Sequence, residues 1–334
     1  MEIYKDYMNI IKEAVQLDSS IRLSKGFGTS NIQDSERSFR ELILKHSDNN
    51  TYSKMKNFSQ GLGRPINYDQ KLGMHPSFSY LKNSDQTENH YIVSAFIDIK
   101  GSTNMFKKFD NRTMYIITDT IIKAGIHTAL IFGGYVHRLQ GDGMFIYFGD
   151  KSTSIDKAVQ SALQMVSVYS YFIKNDLKNY LETLGIINVG VRSGLDLGYD
   201  DDVLWGNFGI GEISEVTTCS LHTSLASKMQ GQAVKNGVVV GHNIKNEIKG
   251  GEDLFSLVSD RTLNSNDRYI YRIEDKNFNY TQYDFNWEKF LKRQDFINLD
   301  SLGHPHVSNI RSTGITAGLE KIASRSVPYF NSNA

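Results

Sequence analysis

The hydrophobic pattern changes along the chain and divides it into three regions. Residues 1–88 are mostly polar, but they open with MEIYKDYMNIIKEAVQL, whose apolar positions recur at helical spacing. Residues 89–275 alternate short apolar runs with longer helical patterns, and residues 276–334 mix aromatic and polar residues without a clear period. We therefore predict a helical N-terminal extension, a central α/β catalytic domain and a mixed C-terminal extension.

The order of elements in the central region predicts its fold. The run YIVSAFIDI predicts a buried strand, because β-branched and aromatic residues dominate it. The stretch MYIITDTIIKAGIHTALIFGG has helical spacing and ends at a glycine pair that suits a C-terminal cap. Two short strands, a second helix and a strand within INVGVRSGLDLG follow. Strand, helix, hairpin, helix, strand is the ferredoxin-like βαββαβ order. We therefore predict a mixed α/β fold, of the α+β class, in which helices pack on a largely antiparallel sheet.

Composition and charge narrow the classes of function. Lys and Arg together number 37, as do Asp and Glu, so no basic excess predicts a nucleic-acid-binding surface. The single cysteine, Cys219, excludes an internal disulfide and suits a reducing cytoplasm. The opening helix lacks the apolar core of a signal peptide, and no window approaches the roughly 18 apolar residues of a membrane span. We expect a cytoplasmic protein without nucleic-acid or membrane partners.

Two carboxylates lie where the predicted topology would bring them together. Asp98 is near the end of the first central strand, and Asp142 lies between two glycines in the predicted hairpin turn. If the strand and the hairpin are neighbours in the sheet, the two acids repel each other unless a cation lies between them. Each acid alone is explained as a turn residue, but the pair in this strand order favours a divalent metal site.

The chain that follows Asp98 has the composition of a phosphate-binding turn. It consists of Lys100, Gly101, Ser102 and Thr103, whose small side chains would let backbone N–H groups approach phosphate oxygens. A metal site beside such a turn is the equipment of phosphoryl or nucleotidyl transfer. The alternative at this point is that both features are ordinary turns.

Four blocks of the sequence resemble successive blocks of the class III nucleotidyl cyclase catalytic domain. In the family's order they are FIDIKGSTNMF, FGGYVHRLQGDGMFIYFG, VGVRSGLDLG and LWGNFGIGEISEVTTCSLHTSLASKMQ. The resemblance places Asp98 and Asp142 on the two metal-binding aspartates of the family. It implies that these side chains and the backbone carbonyl of Ile99 hold two divalent ions, Mg²⁺ or Mn²⁺, and that Lys100–Thr103 cradle the triphosphate.

The positions that the resemblance assigns to the base and the ribose depart from the family. Arg138 replaces a lysine four residues before the second aspartate, and Thr217 takes the second base-reading position. Ser224 and Lys228 replace an asparagine and an arginine, at a spacing that keeps both on one helix face. Lysine lacks the bidentate fork with which arginine binds phosphate. The resemblance implies catalytic roles for Ser224 and Lys228, with Arg192 as another candidate for that role.

A narrower resemblance rests on the length of 334 residues, the block LGMHPSFSYL and the altered base-reading positions. These features are similar to the pyrimidine nucleotide cyclases of Pycsar anti-phage defence. The resemblance implies a phosphorus–oxygen lyase that converts a pyrimidine nucleoside triphosphate to cyclic UMP or cyclic CMP, which activates a separate effector. We lean to UTP, because we take uridylate cyclases to be the commoner kind.

The same resemblance implies a homodimer whose active sites lie at the interface. The metal side and the Lys228 side of each site would come from different chains. Two alternatives stay open. One is an adenylate or guanylate cyclase with unusual base recognition, and the other is a catalytically inactive cyclase-like nucleotide sensor.

Overall fold

The computed structural model describes residues 1–18 and 32–307. The strands are β1 (Glu88–Asn89), β2 (Ile92–Lys100), β3 (Gly134–Gln140), β4 (Gly143–Phe148), β5 (Gly190–Gly198), β6 (Val203–Ile210), β7 (Ile213–Ser220), β8 (Gly237–Gly241), β9 (Phe255–Leu257), β10 (Tyr269–Ile273), β11 (Phe278–Phe285), β12 (Ile297–Leu299) and β13 (Pro305–Val307). The α-helices are α1 (Lys5–Leu17), α2 (Ile32–Ser47), α3 (Ser53–Gly61), α4 (Asn111–Ile131), α5 (Ile155–Tyr171), α6 (Lys178–Thr183), α7 (Leu221–Gln232), α8 (His242–Glu247), α9 (Val258–Thr262) and α10 (Trp287–Lys292). A π-helical segment, Phe172–Leu177, joins α5 to α6.

The strand order of the large sheet confirms the predicted fold. Its central strands are antiparallel in the order β5–β2–β4–β3, with α4 between β2 and β3 and α5 between β4 and β5. This is the ferredoxin-like βαββαβ arrangement. Beyond β5 the sheet continues through β8, which is parallel to β5, and then through β11 and β10, with β9 also paired to β11.

The two faces of the sheet are buried against different elements, because successive strand residues point to opposite sides. Ile97 and Ile146 lie on the face that forms the main core with the long helices. On the opposite face, Tyr147 and Trp205 belong to a second core beneath a small sheet of order β1–β6–β7. Helix α7 also lies on this second face. It packs so closely on β5 that a Cβ added to Gly194 would lie 2.1 Å from a backbone nitrogen of α7.

The start of the chain is part of the main core, as its amphipathic pattern predicts. Tyr4 and Tyr7 are fully buried, and the Tyr4 ring stacks on Phe172 with centroids 4.3 Å apart. The Tyr7 hydroxyl forms a 2.5 Å hydrogen bond with Nδ1 of His127 in α4. The N-terminal helix and the central sheet are thus joined by both apolar and polar contacts.

Part of the predicted C-terminal extension continues the large sheet. Strand β11 pairs with β8 on one side and with β10 on the other. Helix α10 and strands β12 and β13 also belong to that extension, and its residues 308–334 lie outside the described residues. The domain boundaries at residues 88 and 275 stay predictions.

Among the described residues, α4 is the one helix that is long and apolar enough to cross a membrane by length and composition. The sequence pattern predicted no window of this kind, so α4 is an exception to that expectation. Within the protein, 67% of the window is buried, and α4 packs against α1, α5 and β3. Burial in the core is sufficient to explain its apolar residues.

Candidate active site

The two aspartates predicted to bind metal lie side by side at one end of the sheet. Strands β2 and β4 pair with Ile97 opposite Met144, so Asp98 comes level with Gly143 and next to Asp142 in the β3–β4 turn. A Cβ added to Gly143 would lie 3.8 Å from Oδ1 of Asp98. The first carboxylate therefore reaches the turn that carries the second, as the predicted topology requires.

The polar atoms of these aspartates fit a cation. Oδ2 of Asp142 is buried and has no hydrogen-bond partner among the described residues, which is unfavourable for a carboxylate unless a ligand satisfies it. The described part of the chain contains no group of three or more His, Cys, Asp or Glu residues suited to a metal. A metal ion here would rely on the two carboxylates, the carbonyl of Ile99 and oxygen atoms of the substrate, which are ligands that Mg²⁺ accepts.

Asp98 is already partnered by two side chains of the same chain. Its Oδ2 accepts hydrogen bonds from Nη2 of Arg192 at 2.6 Å and from Nε2 of Gln230 at 3.3 Å. Arg192 lies directly opposite Asp98 in the β2–β5 ladder. The structure thus places Arg192 with the predicted metal ligands of its own chain, and not on the helix that carries Lys228.

The turn predicted to bind phosphate is the start of a short 3-10 helix, Ser102–Lys107. Gly101 precedes it with a φ of 85°, and a Cβ there would lie 2.3 Å from a backbone carbonyl oxygen, so the position requires glycine. The first N–H groups of a helix have no partner within the helix, which suits the predicted contacts of Ser102 and Thr103 with phosphate. Lys100, the last residue of β2, is exposed beside them.

The predicted base-reading residues lie on the face of the sheet that the β6–β7 hairpin covers. Arg138 forms a bidentate ion pair with Glu215 of β7, in which Nε donates to Oε2 at 2.6 Å and Nη2 lies against Oε1. Thr217 follows Glu215 by two residues on the same side of β7, and its Oγ1 lies 3.1 Å from the Tyr147 hydroxyl. The structure brings Arg138 and Thr217 onto one surface and adds Glu215 between them.

A β-bulge in β3 sets the direction of Arg138. The register with β4 shifts between Val136 and Arg138, so Arg138 comes opposite Phe145 and His137 is the extra residue. His137 is fully buried, and its ring nitrogens have no hydrogen-bond partner among the described residues. Burial, together with the charge of Arg138, lowers the pKa of His137 to about 3. His137 is therefore neutral, and although its Nε2 lies 3.6 Å from Oε2 of Glu215, the charge that pairs with this carboxylate is that of Arg138.

Ser224 and Lys228 lie exposed on α7, as their helical spacing predicts. Oγ of Ser224 donates to the carbonyl of Ser220 at 3.3 Å, and Nζ of Lys228 lies 5.6 Å from the centroid of the Tyr271 ring. Within the described residues, neither side chain has a hydrogen bond or ion pair to the two predicted metal ligands. Both side chains are therefore accessible from outside their own chain.

Sequence reasoning missed one functional candidate, Glu215. Its position two residues before Thr217 on a strand was a signal, because residues at that spacing share a face. The ion pair with Arg138 is what makes it a candidate, and that contact joins residues 77 positions apart in the sequence. The roles of all these side chains in binding and catalysis stay predictions.

Curated relatives of the chain are nucleotide cyclases, although no protein-family model matches it. A cytidylate cyclase of Staphylococcus aureus is 32% identical over 225 residues, which are 67% of this chain and 53% of that protein. A cytidylate cyclase of Escherichia coli is 30% identical over 249 residues, 72% of this chain and 53% of that protein. The chain thus spans about half the length of the curated relatives it matches.

Solved structures with a related fold are cyclase domains. The adenylyl cyclase CyaB from P. aeruginosa aligns with a TM-score of 0.49 and 20% identity over 60% of this chain and 95% of its own. The guanylyl cyclase Cya2 aligns with a TM-score of 0.46 and 14% identity over 59% of this chain and 92% of its own. Because both TM-scores are below 0.5, the fold assignment rests on the strand order. The curated relatives confirm the predicted resemblance: over about two thirds of its length, this chain is similar to nucleotidyl cyclases.

Proposed function

We propose that this chain is a nucleotidyl cyclase that converts CTP to 3′,5′-cyclic CMP and pyrophosphate. The observation that carries the proposal is the position of Asp98 next to the turn that holds Asp142, where a buried carboxylate oxygen of Asp142 has no described partner. The cytidylate cyclase relatives support the reaction class and the base. We further propose that the cyclic product activates a separate effector, as the Pycsar resemblance implies.

The proposed mechanism assigns each part of the site a distinct task. Two divalent ions, held by Asp98, Asp142 and the carbonyl of Ile99, would supply activation of the ribose 3′-hydroxyl and neutralise charge on pyrophosphate. The turn from Gly101 to Thr103 binds and orients the triphosphate through backbone N–H groups. The 3′-hydroxyl releases its proton to solvent, and its oxygen forms a bond to the α-phosphorus while the bond from that phosphorus to pyrophosphate breaks.

The pair formed by Arg138 and Glu215 favours cytosine over uracil. Cytosine carries an amino group at C4, which donates, and acceptors at N3 and O2. Glu215 can accept from the amino group while Arg138 donates to the ring acceptors. Uracil carries a carbonyl at C4, which would place an acceptor against the Glu215 carboxylate. We therefore propose CTP, in place of the UTP towards which the sequence analysis leaned.

A second copy of the chain completes the proposed site. Ser224 and Lys228 are exposed and make no described contact with the metal ligands of their own chain, which supports a site in which they contact the ribose and the α-phosphate held by the partner. The tip of the β6–β7 hairpin exposes Ile210 and Ile213, at 80% and 84% of their surfaces, and these apolar side chains are available for contact with a second copy. Both observations support a homodimer with two symmetric sites.

The test is to incubate the purified protein with Mn²⁺ and each of ATP, GTP, CTP and UTP and to identify the products by mass. We expect cyclic CMP as the main product. Cyclic UMP would keep the mechanism and overturn the reading of Glu215, and a cyclic purine nucleotide would overturn the pyrimidine assignment. Nucleotide binding without any cyclic product would support the inactive sensor instead.

A further inference from the structure

Arg192 forms an ion pair with Asp98, a predicted metal ligand whose carboxylate would be expected to be free for the metal. Its Nη2 lies 2.6 Å from Oδ2 of Asp98, and the two side chains are only 24% and 32% exposed. Gln230 of α7 donates to the same oxygen at 3.3 Å. One cation of the protein itself thus partners the carboxylate that the proposed function assigns to a divalent ion.

Two buried polar atoms at this end of the sheet have no partner among the described residues. One is the donor Nε of Arg192, and the other is the acceptor Oδ2 of Asp142. Each would be costly to leave unsatisfied. The donor on the Arg192 cation and the acceptor on the Asp142 anion are complementary to the phosphate and to the metal ion of a metal–nucleotide complex. The phosphate oxygens suit the guanidinium, and the metal ion suits the carboxylate.

A divalent ion and a guanidinium compete for the same carboxylate. When an ion binds Asp98, the neighbouring charge of Arg192 repels it, and this repulsion weakens as the guanidinium moves toward an anion. Arginine stays charged at every relevant pH, so the exchange needs no proton transfer. Its planar fork also matches phosphate oxygens, which the lysine at position 228 does not.

We propose that Arg192 is a catalytic residue that exchanges partners: it pairs with Asp98 in the free protein and donates to the triphosphate when the metal–nucleotide complex binds. This inference rests on the proposed nucleotidyl cyclase function. Arg192 would also provide the guanidinium fork that Lys228 lacks. It would do so from the chain that holds the metal ligands, whereas Lys228 of the same site would come from the other chain of the dimer.

The test measures binding, so it does not depend on turnover. Mn²⁺ affinity is measured without nucleotide by the electron paramagnetic resonance of free Mn²⁺. Affinity for 3′-deoxy-CTP, which has no 3′-hydroxyl and cannot cyclise, is measured by calorimetry with Mn²⁺ present. For Arg192→Gln we expect Mn²⁺ to bind more tightly and 3′-deoxy-CTP to bind about tenfold more weakly, since a charged hydrogen bond is lost. Arg192→Lys should fall between the wild type and Arg192→Gln in nucleotide affinity.

The opposite directions of the two changes distinguish the proposal from a structural role. A variant that lowers both affinities, or leaves nucleotide affinity unchanged, overturns it. Arg293→Gln is the matched control, because Arg293 pairs with Asp253 at the same 2.6 Å on an exposed surface. Melting temperatures show whether each variant folds.

The same panel separates failure of this inference from failure of the proposed function. If the wild type forms cyclic CMP but both affinities of Arg192→Gln fall together, only the role of Arg192 is wrong. If the wild type binds neither 3′-deoxy-CTP nor the corresponding 3′-deoxy analogues of ATP, GTP and UTP, the cyclase proposal is wrong and the role of Arg192 falls with it.

Discussion

Asp142 and Asp98 have the same predicted role as metal ligands, but their side chains differ in their hydrogen-bond partners. Asp98 has Arg192 and Gln230 as partners, whereas Oδ2 of Asp142 is buried without a described partner. A buried carboxylate oxygen without a hydrogen-bond partner lowers the stability of the fold, and this is typical of a side chain that binds a ligand. The two positions should therefore respond differently to the same substitution.

We expect Asp142→Asn to abolish cyclase activity while the free energy of unfolding stays equal or rises, because the variant removes the charge of a carboxylate whose Oδ2 is buried without a partner among the described residues. Asp98→Asn should also abolish activity but should lower the free energy of unfolding by about 1 kcal/mol, since a partly exposed ion pair with Arg192 is weakened. Product assays and urea unfolding measure the two effects. Asp201→Asn, an exposed change, is the control. Equal destabilisation by both variants would contradict this account.

Glu215 should determine the choice between the two pyrimidines. In Glu215→Gln the amide can donate to the C4 carbonyl of uracil, so the ratio of kcat/KM for CTP to that for UTP should fall about tenfold. Steady-state assays with both nucleotides measure this ratio, and Glu212→Gln on the exposed hairpin tip is the matched control. An unchanged ratio would show that Glu215 only holds Arg138 in place.

The single residues were predictable to the extent that their roles follow from local spacing. Asp98 and Asp142 follow from a strand end and a turn, and the structure brings them together. Glu215 did not follow, because its role depends on a contact with Arg138 across two sheets. The partner of Asp98 was unpredictable for the same reason, since Arg192 reaches it through strand pairing.

At the scale of elements, helix α7 is anchored by a buried polar group. Asp196 of β5 is fully buried and accepts hydrogen bonds from Nδ1 of His222 and from the Tyr280 hydroxyl, each at 2.8 Å. His222 lies in the first turn of α7, two residues before Ser224, and Tyr280 lies on β11. This contact ties the helix that carries the predicted catalytic side chains to two strands of the large sheet.

The anchor predicts how stability depends on pH. Burial disfavours the charged form of His222, but the hydrogen bond and charge of Asp196, with the charge of Asp202, outweigh it and raise the pKa of His222. A raised folded-state pKa stabilises the protein below the unfolded value of about 6.5, and the contribution is lost as pH rises through the folded-state pKa. We expect His222→Gln to flatten the fall in melting temperature above about pH 6.5. Exposed His306→Gln should keep the wild-type profile, and an identical slope in His222→Gln would contradict the anchor.

The elements of the central domain were predictable because their periodicities are clear. The β4 strand, the long helices and the order that gives the ferredoxin-like sheet all appear as expected. Helix α7 begins at Leu221, because the Ser220 side chain accepts a hydrogen bond from the His222 N–H and caps the helix. The separate β1–β6–β7 sheet was not predictable, since nothing local to VLWGNFG indicates which strand it will pair with.

At the scale of the whole molecule, complementation tests whether each site is shared. Asp142→Asn disables the metal side, and Lys228→Ala disables the opposite side. Neither variant alone should turn over CTP, but a mixture should regain activity, because a heterodimer holds one intact site. Size-exclusion chromatography with light scattering checks that the mixed species is a dimer. A mixture as inactive as its parts would mean that each site lies within one chain.

The division of the sequence into three regions predicted only part of how these regions pack together. Burial of Tyr4 and Tyr7 in the main core shows that the first helix packs as the central elements do, which follows from its amphipathic pattern. The mixed pattern of the last region gave no such signal, yet β11 from that region lies between β8 and β10 in the large sheet. Strand pairing of this kind joins segments that are distant in the sequence, and the residues of neither segment indicate the pairing partner.

The position of β11 has a consequence for synthesis of the chain. Until residues Phe278–Phe285 leave the ribosome, β8 has an open edge whose backbone N–H and C=O groups can pair with other nascent chains. The Asp196 carboxylate likewise lacks Tyr280 during that interval. The large sheet is thus completed only about 140 residues after Asp142 has been synthesised, and aggregation during translation is the hazard that this order creates.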